Sequence, residues 1–321
     1  MRIFAHANYN FIKWRWHALI VSLVLIWAGV AHVIWLGGLP LGIDFSGGTV
    51  VVLQFDHPTS VQAVRDGLGP AGQDAVVQSY GDASRHQVMV RLPETGGEGA
   101  NLDELAGRIQ QSIQAANIGT FTVVSRQMVG PAVGHDLQQR GIWATLTALG
   151  GILIYVAFRF RLTFAIGAIV ATFHDILITL VFLTWFHYDL SLNIIAAILT
   201  IAGYSVNDTI VVFDRVREDQ RLMRRAPLDE IVNAAVNQTL GRTIITSGTT
   251  FLAVLALYLF GGEVLRGFAF TMLIGIITGT YSTVFIAASI AIILSRRNRP
   301  VAAAAATTPA RTTDVKRRRR A

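Results

Sequence analysis

Asp208, with Asn207 before it, interrupts a run from Leu190 to Phe213 that is otherwise apolar enough to sit in lipid. An ionisable side chain in a spanning helix costs roughly 2.5–3.5 kcal/mol on insertion scales, so it turns toward a bundle interior and marks a pathway or a switch. Arg242 heads the next apolar run, in the string RTIITSGTT. A guanidinium stays charged, whereas a carboxyl can be neutral or ionised; burial favours the neutral acid and a nearby cation favours the carboxylate. Opposed influences of similar size make a group that gains and loses a proton as helices shift. Moving one charge across the full membrane potential yields about 2.3 kcal/mol per 100 mV, enough to bias a conformational equilibrium. The competing account is a static buried ion pair, a poor stabiliser beside apolar packing.

Other polar residues line up with this pair. Thr200, Tyr204 and Asp208 recur at four-residue spacing and share one helix face, flanked by Asn207. Arg242, Thr246 and Thr249 or Thr250 do likewise, with Thr243 and Ser247 beside them. The two stripes are expected to face each other rather than lipid. Asp208 lies roughly 9 Å inside the polar exit at Asp214 by helix rise, and Arg242 starts its own span at the same side, so the depths match. His174-Asp175 falls roughly 18–20 Å into its span from Leu162, where the two side chains either relay protons or cross-link helices by hydrogen bonding. No catalytic set is visible: His57, His86 and Ser125 have no spacing that suggests partners. The absence of cysteine excludes disulfides, a thiol nucleophile and cysteine metal ligands. No metal or cofactor is expected.

The elements that hold these residues are membrane helices. Hydrophobic residues make up 52% of the 321 and charged residues 15%, against about 25% charged in soluble domains. Six apolar segments reach the length of a bilayer crossing, at about 17–36, 142–158, 162–186, 190–213, 243–260 and 267–294. Arginine and lysine fall beside alternate span ends: Arg2, Lys13 and Arg15; Arg159 and Arg161; Arg215 to Arg225; Arg296 to Arg299; the short opposite loops hold only Arg266. Both termini are therefore expected in the cytoplasm. The first span is read as a retained anchor, its apolar core being too long for a signal peptide. Residues 1–16 are a short basic, aromatic cytoplasmic lead.

Between Gly37 and Arg140 the chain carries six arginines and ten carboxylates, so the overall charge of +7 belongs to the membrane flanks. A nucleic-acid partner is not expected. This stretch, 37–140, predicts a βαββαβ, ferredoxin-like domain: strands at 49–55, 75–80, 86–92 and 120–129, and helices at 58–68 and 102–116, the second capped at Asn101 after the glycine-rich loop Thr95–Gly99. Gly47 and Gly48 permit a tight turn into the first strand. Gly130, Pro131 and Gly134 form either a hinge or an ordinary linker back to the bilayer. A bundle over 141–295 follows, with a cytoplasmic hairpin at 214–241 made of a charged helix and a second amphipathic stretch. The tail, 296–321, is basic and expected to be disordered, a topology anchor or a binder of anionic lipid.

GIDFSGGT after the first span, VGPAVGHDL before the second, HD in the third, GYSVNDTIVVFDRVRE at the fourth and RTIITSGTT at the fifth together resemble the SecF family. These are protein-export membrane subunits that partner SecD, within the resistance-nodulation-division superfamily, and the likeness covers roughly residues 11–295. The resemblance implies a multi-pass subunit of the bacterial inner membrane that works with SecD and the SecYEG channel, in company with SecA and YajC. It uses the proton motive force to help secreted chains emerge. The family's proton-coupling aspartate and arginine fall at Asp208 and Arg242, with His174, Asp175, Tyr204, Asn207, Thr246 and Thr250 as relay or support. An alternative is half of a proton-coupled efflux transporter, although an outer domain of about 100 residues leaves little room for a drug-sized pocket. An intramembrane aspartyl protease using Asp175 and Asp208 is disfavoured, because GxGD is missing and Tyr188-Asp189 falls in a loop.

Overall fold

The computed structural model describes residues 8–72, 75–81, 83–92 and 102–297. The Asn101 cap, the Thr95–Gly99 loop, the first seven residues and the tail from 298 lie outside them. Among the described residues six helices are long and apolar enough to cross a membrane. In chain order the elements are α1 (Arg15–Trp35), a single turn α2 (Ile43–Ser46), β1 (Gly48–Phe55), α3 (Val61–Gly67), β2 (Val76–Tyr80), β3 (Gln87–Leu92), α4 (Leu102–Ala115) and β4 (Phe121–Val129). The long helices α5 (Pro131–Arg159), α6 (Leu162–Trp185), α7 (Leu192–Leu222), α8 (Leu228–Phe260) and α9 (Glu263–Ser282) follow, and a π-helical turn (Thr283–Ala287) joins α9 to α10 (Ala288–Arg297).

The strands form one antiparallel sheet in the order β2-β3-β1-β4, which with two helices between them is the expected ferredoxin-like topology. The central strand β1 buries Val51, Leu53 and Phe55 against Val64 of α3 and Ile109 and Ile113 of α4. Its alternate residues Val50 and Val52 pack with Ile43 on the other face. Strand alternation thus serves two small cores. The first helix begins later than expected, at Val61 rather than 58, because the Ser60 hydroxyl accepts from the Ala63 N–H and sets the N-cap there.

Two membrane-side expectations need correction. The bundle's second span is not confined to 142–158: α5 is continuous from Pro131, a favoured first helical residue whose missing N–H costs nothing there. The segment 214–241 holds no separate helices. α7 runs on to Leu222 and α8 begins at Leu228, so two spanning helices extend past the apolar zone and turn at Met223–Pro227. No glycine or proline breaks the chain between Arg215 and Leu222, and charged side chains on solvated turns do not oppose helix.

Helices α6 and α9–α10 are the most buried, while α1, α5 and α8 expose large apolar side chains such as Trp27, Phe158 and Leu252. Lipid tails are as apolar as leucine, so the bundle is held by close approach of small residues and by interhelical hydrogen bonds rather than by hydrophobic burial. A Cβ on Gly167 of α6 would stand 2.7 Å from the Ala287 carbonyl oxygen. At the arginine-rich end, Asp229 of α8 receives Arg15 at 2.9 Å and Arg296 at 2.6 Å, tying α1, α8 and α10 together. The segment before α1 docks there as well: Tyr9 and Phe11 donate backbone N–H groups to the Asn237 and Asn233 carboxamides, which in turn donate to the Tyr9 carbonyl.

Gly167→Ala should destabilise the bundle by about 1–3 kcal/mol through overpacking, since a backbone carbonyl cannot rotate away. Gly150→Ala, which meets nothing within 4 Å, should be tolerated. Thermal unfolding of the two variants in mild detergent compares them directly.

Candidate functional site

Asp208 sits almost one turn beyond Ser205 on α7, half-buried against α8. One carboxylate oxygen, Oδ1, accepts from the Thr243 hydroxyl at 2.9 Å. The other, Oδ2, is buried and has no hydrogen-bond partner among the described residues. Arg242, the residue before Thr243 on α8, makes no ion pair with the carboxylate. Its side chain is exposed, on the outward side of α8.

On both sides of Asp208 the contact between helices continues through hydroxyls. Tyr204 donates to Ser247 at 3.1 Å, Thr280 of α9 donates to the same Ser247 oxygen at 2.9 Å, and Thr209 meets Thr283 at the π-helical turn at 2.9 Å. The expected stripes therefore touch, but with a different set of residues on α8. Thr243 and Ser247, four apart, face α7. Thr246 is exposed, and Thr250 turns its hydroxyl back onto the Thr246 carbonyl. One residue is about 100° of rotation on a helix, so the stripe that contains Arg242 looks outward together with Thr200 and Asn207 of α7. The i, i+4 pair Thr243/Ser247 was the signal available in the sequence for the inward face.

His174 and Asp175 lie elsewhere, at the centre of α6. Asp175 is fully buried. Its Oδ1 meets His174 Nδ1 at 2.9 Å, and its Oδ2 accepts from Ser282 of α9 at 2.7 Å and from Ser205 of α7. The carboxylate thus cross-links three helices with every oxygen occupied. Ser205 and Ser282 were not identified from the sequence, because single serines in apolar runs carry no periodic mark. Asp175 and Asp208 have no partner in common.

The glycine motifs meet at the other end of the bundle. Gly47 and Gly48 adopt φ values of 68° and 115°, which side-chain-bearing residues rarely reach. Gly134, already inside α5, packs so closely that a Cβ would stand 3.2 Å from the Gly47 nitrogen; the segment Gly130–Gly134 is the first turn of a helix seated on this corner. Asp44 accepts the Leu192 N–H at 2.9 Å at the start of α7. Gly42 donates to the Leu190 carbonyl and Leu190 donates to the Pro40 carbonyl, at 2.8 and 2.7 Å. From the sheet, Arg91 of β3 donates to the Leu41 carbonyl and to Asp189 at 2.8 and 3.0 Å. Burial pushes the Asp189 carboxyl above its ordinary range, against the opposing charges of Arg91 and His187. Sheet, α5 and α7 are therefore buckled together through one short stretch. Among the described residues no cluster of side chains is suited to hold a metal ion.

Compared with known proteins, the chain matches the family described as protein export membrane protein SecD/SecF, C-terminal, over residues 109–297, and the SecD/SecF GG motif over residues 34–59. The second match covers the buckle. The chain is 41% identical over 294 residues to the protein translocase subunit SecF of Escherichia coli O157:H7, covering 90% of this chain and 88% of that one. It is 42% identical over 305 residues to the SecF subunit of Rhodothermus marinus, covering 92% and 96%. Among solved structures it resembles that of SecDF, a translocon-associated membrane protein, from Thermus thermophilus, with a TM-score of 0.80 at 36% identity. A structure of SecDF in a super-membrane-facing form gives 0.67. The match covers 93% of this chain but 40% of the SecDF chain, so the present chain spans well under half of that protein's length.

Replacing Asp175 by leucine should lower stability by about 3 kcal/mol or more, since two buried serine hydroxyls lose their acceptor at about 1–3 kcal/mol each; Asp175→Asn, which keeps an acceptor, should lose much less. Detergent thermal melts report the difference. For Asp189 the folded state prefers the neutral acid, so its contribution to stability is greatest below the ordinary carboxylate pKa and is lost as pH rises through the raised one. Asp189→Asn should therefore compare more favourably with the native protein at neutral pH than at acidic pH, a difference measurable in melts across that range.

Proposed function

This chain belongs to the SecD/SecF family of protein-export membrane proteins, and from that premise we propose that Asp208 and Arg242 are the pair through which proton movement is coupled to its work. It is a multi-pass bacterial membrane protein and an accessory subunit of the Sec protein translocase. The observation that carries the proton-coupling reading is the incomplete satisfaction of Asp208. Asp175, with both oxygens occupied, is fixed by its neighbours; Asp208 keeps one buried oxygen unpartnered, and the residue that does bond it, Thr243, is the neighbour of Arg242 on α8. A buried carboxylate in that condition has two ways to complete its hydrogen bonding, taking a proton or taking Arg242. Each choice favours a different placement of α7 against α8.

The movement has a route outward. α7 carries Asp208 at its middle, and its first turn is held by Asp44 of the buckle that holds the sheet. A shift or tilt of α7 is thereby imposed on the outer domain. Arg159, Arg161, Arg217, Arg221, Arg224 and Arg225 gather at one end of the bundle, which the charge rule assigns to the cytoplasm. On that assignment both ends of the chain are cytoplasmic and the ferredoxin-like domain lies outside, where emerging preproteins would meet it. The outward stripe of Asn207, Arg242, Thr246 and Thr249 is a polar face on membrane helices, unfavourable against lipid. SecD is the partner that covers it, and SecYEG with SecA and YajC completes the assembly.

Asp208→Asn should reduce preprotein export in membrane vesicles to the level seen without a proton gradient, while the subunit stays inserted and co-purifies with SecD. Export that still responds fully to the gradient would exclude Asp208 as the coupling group.

A further inference from the structure

At the arginine-rich end of the bundle a cavity of about 540 Å³ opens between the α5–α6 corner and the extension of α7. Arg159, Arg161, Arg217 and Arg221 line it. Arg159 is fixed by both oxygens of Asp214, at 2.8 and 2.7 Å. The other three form no ion pair with any described carboxylate, and Gln220 is the remaining polar wall. Its floor is aromatic: Phe213 takes Phe160 and Phe164 edge-on, at ring-centre distances of 5.9 and 5.1 Å.

We propose that this cavity is a binding site for the phosphate headgroup of an anionic phospholipid. Three unpaired guanidinium groups converging on one hollow match a phosphate, which they bind in a bidentate fork. The 24-residue α6 begins at the rim, just after Arg161, and its first N–H groups have no carbonyl within the helix to accept them. The level is that of headgroups, because Arg159 ends one spanning helix and Arg161 caps the next. The aromatic floor distinguishes the source of the phosphate. A glycerol backbone and the roots of acyl chains gain from apolar contact there, whereas a free phosphate ion does not. Phe158 and Leu162, on either side of the corner, are 89% and 72% exposed and offer such chains a continuous path into the bilayer. Basic pockets between spanning helices hold anionic headgroups by this combination.

The test is native mass spectrometry of the full chain in mild detergent with cardiolipin, phosphatidylglycerol or phosphatidylcholine added. The two anionic lipids should be retained and phosphatidylcholine should not. R161Q/R217Q/R221Q should lower anionic retention about a hundredfold, at roughly fivefold per charge, and Arg161→Gln or Arg221→Gln alone about fivefold, which keeps the test available if the triple variant does not insert. K13Q/R224Q/R225Q removes the same charge from the same end outside the cavity and should retain lipid as the native chain does, as should a chain with Lys316 to Arg320 neutralised. Equal loss in either control, or equal retention of phosphatidylcholine, would overturn the proposal. So would displacement of the lipid by inorganic phosphate, which would make this a site for a free anion. None of these results depends on proton coupling at Asp208.

Discussion

A carboxylate placed among apolar helices must find donors, and Asp175 and Asp208 find them to different degrees. Asp175 collects His174 on its own helix, Ser205 on α7 and Ser282 on α9, and it is wholly buried. Three helices are thereby fixed around α6 in an environment where apolar burial does not hold helices together. Asp208 has one donor, Thr243, and one oxygen left over. The same chemical demand makes one residue a rivet and the other a point of choice.

The connections between α7 and the sheet are short and stiff. α7 is a single helix of 31 residues with no break. Its start is capped by a carboxylate from the GIDFSGG segment, and that segment also receives the first turn of α5 and, through Arg91, the middle of the sheet. Gly42 and Pro40 pair with Leu190 through backbone groups, and the side chains of Asp44 and Arg91 add bonds to α7 and from the sheet. The close packing of Gly134 on Gly47 leaves no room for slack.

Two helices carry polar stripes that no described residue covers, and Arg242 stands in one of them. A guanidinium facing hydrocarbon is costly, so this face favours a polar covering.

Much of this was legible in the residues alone. Six spans follow from unbroken apolar length, the βαββαβ order from period-two alternation and its turns, and the inward turn of Asp208 toward α8 from the cost of a charge in lipid. Helix ends were less legible: α7 and α8 run far past their apolar segments because charged turns solvate without breaking helix, and composition marks where lipid ends rather than where hydrogen bonds end. The partners of the buried acids were not legible at all. A helix rotates by about 100° per residue, so whether Thr243 or Arg242 meets Asp208 depends on how α8 is turned against α7. That angle is set by the packing of every other helix in the bundle. The sequence by itself determined which groups could not remain alone in the membrane; the tertiary structure decided which neighbours they were given.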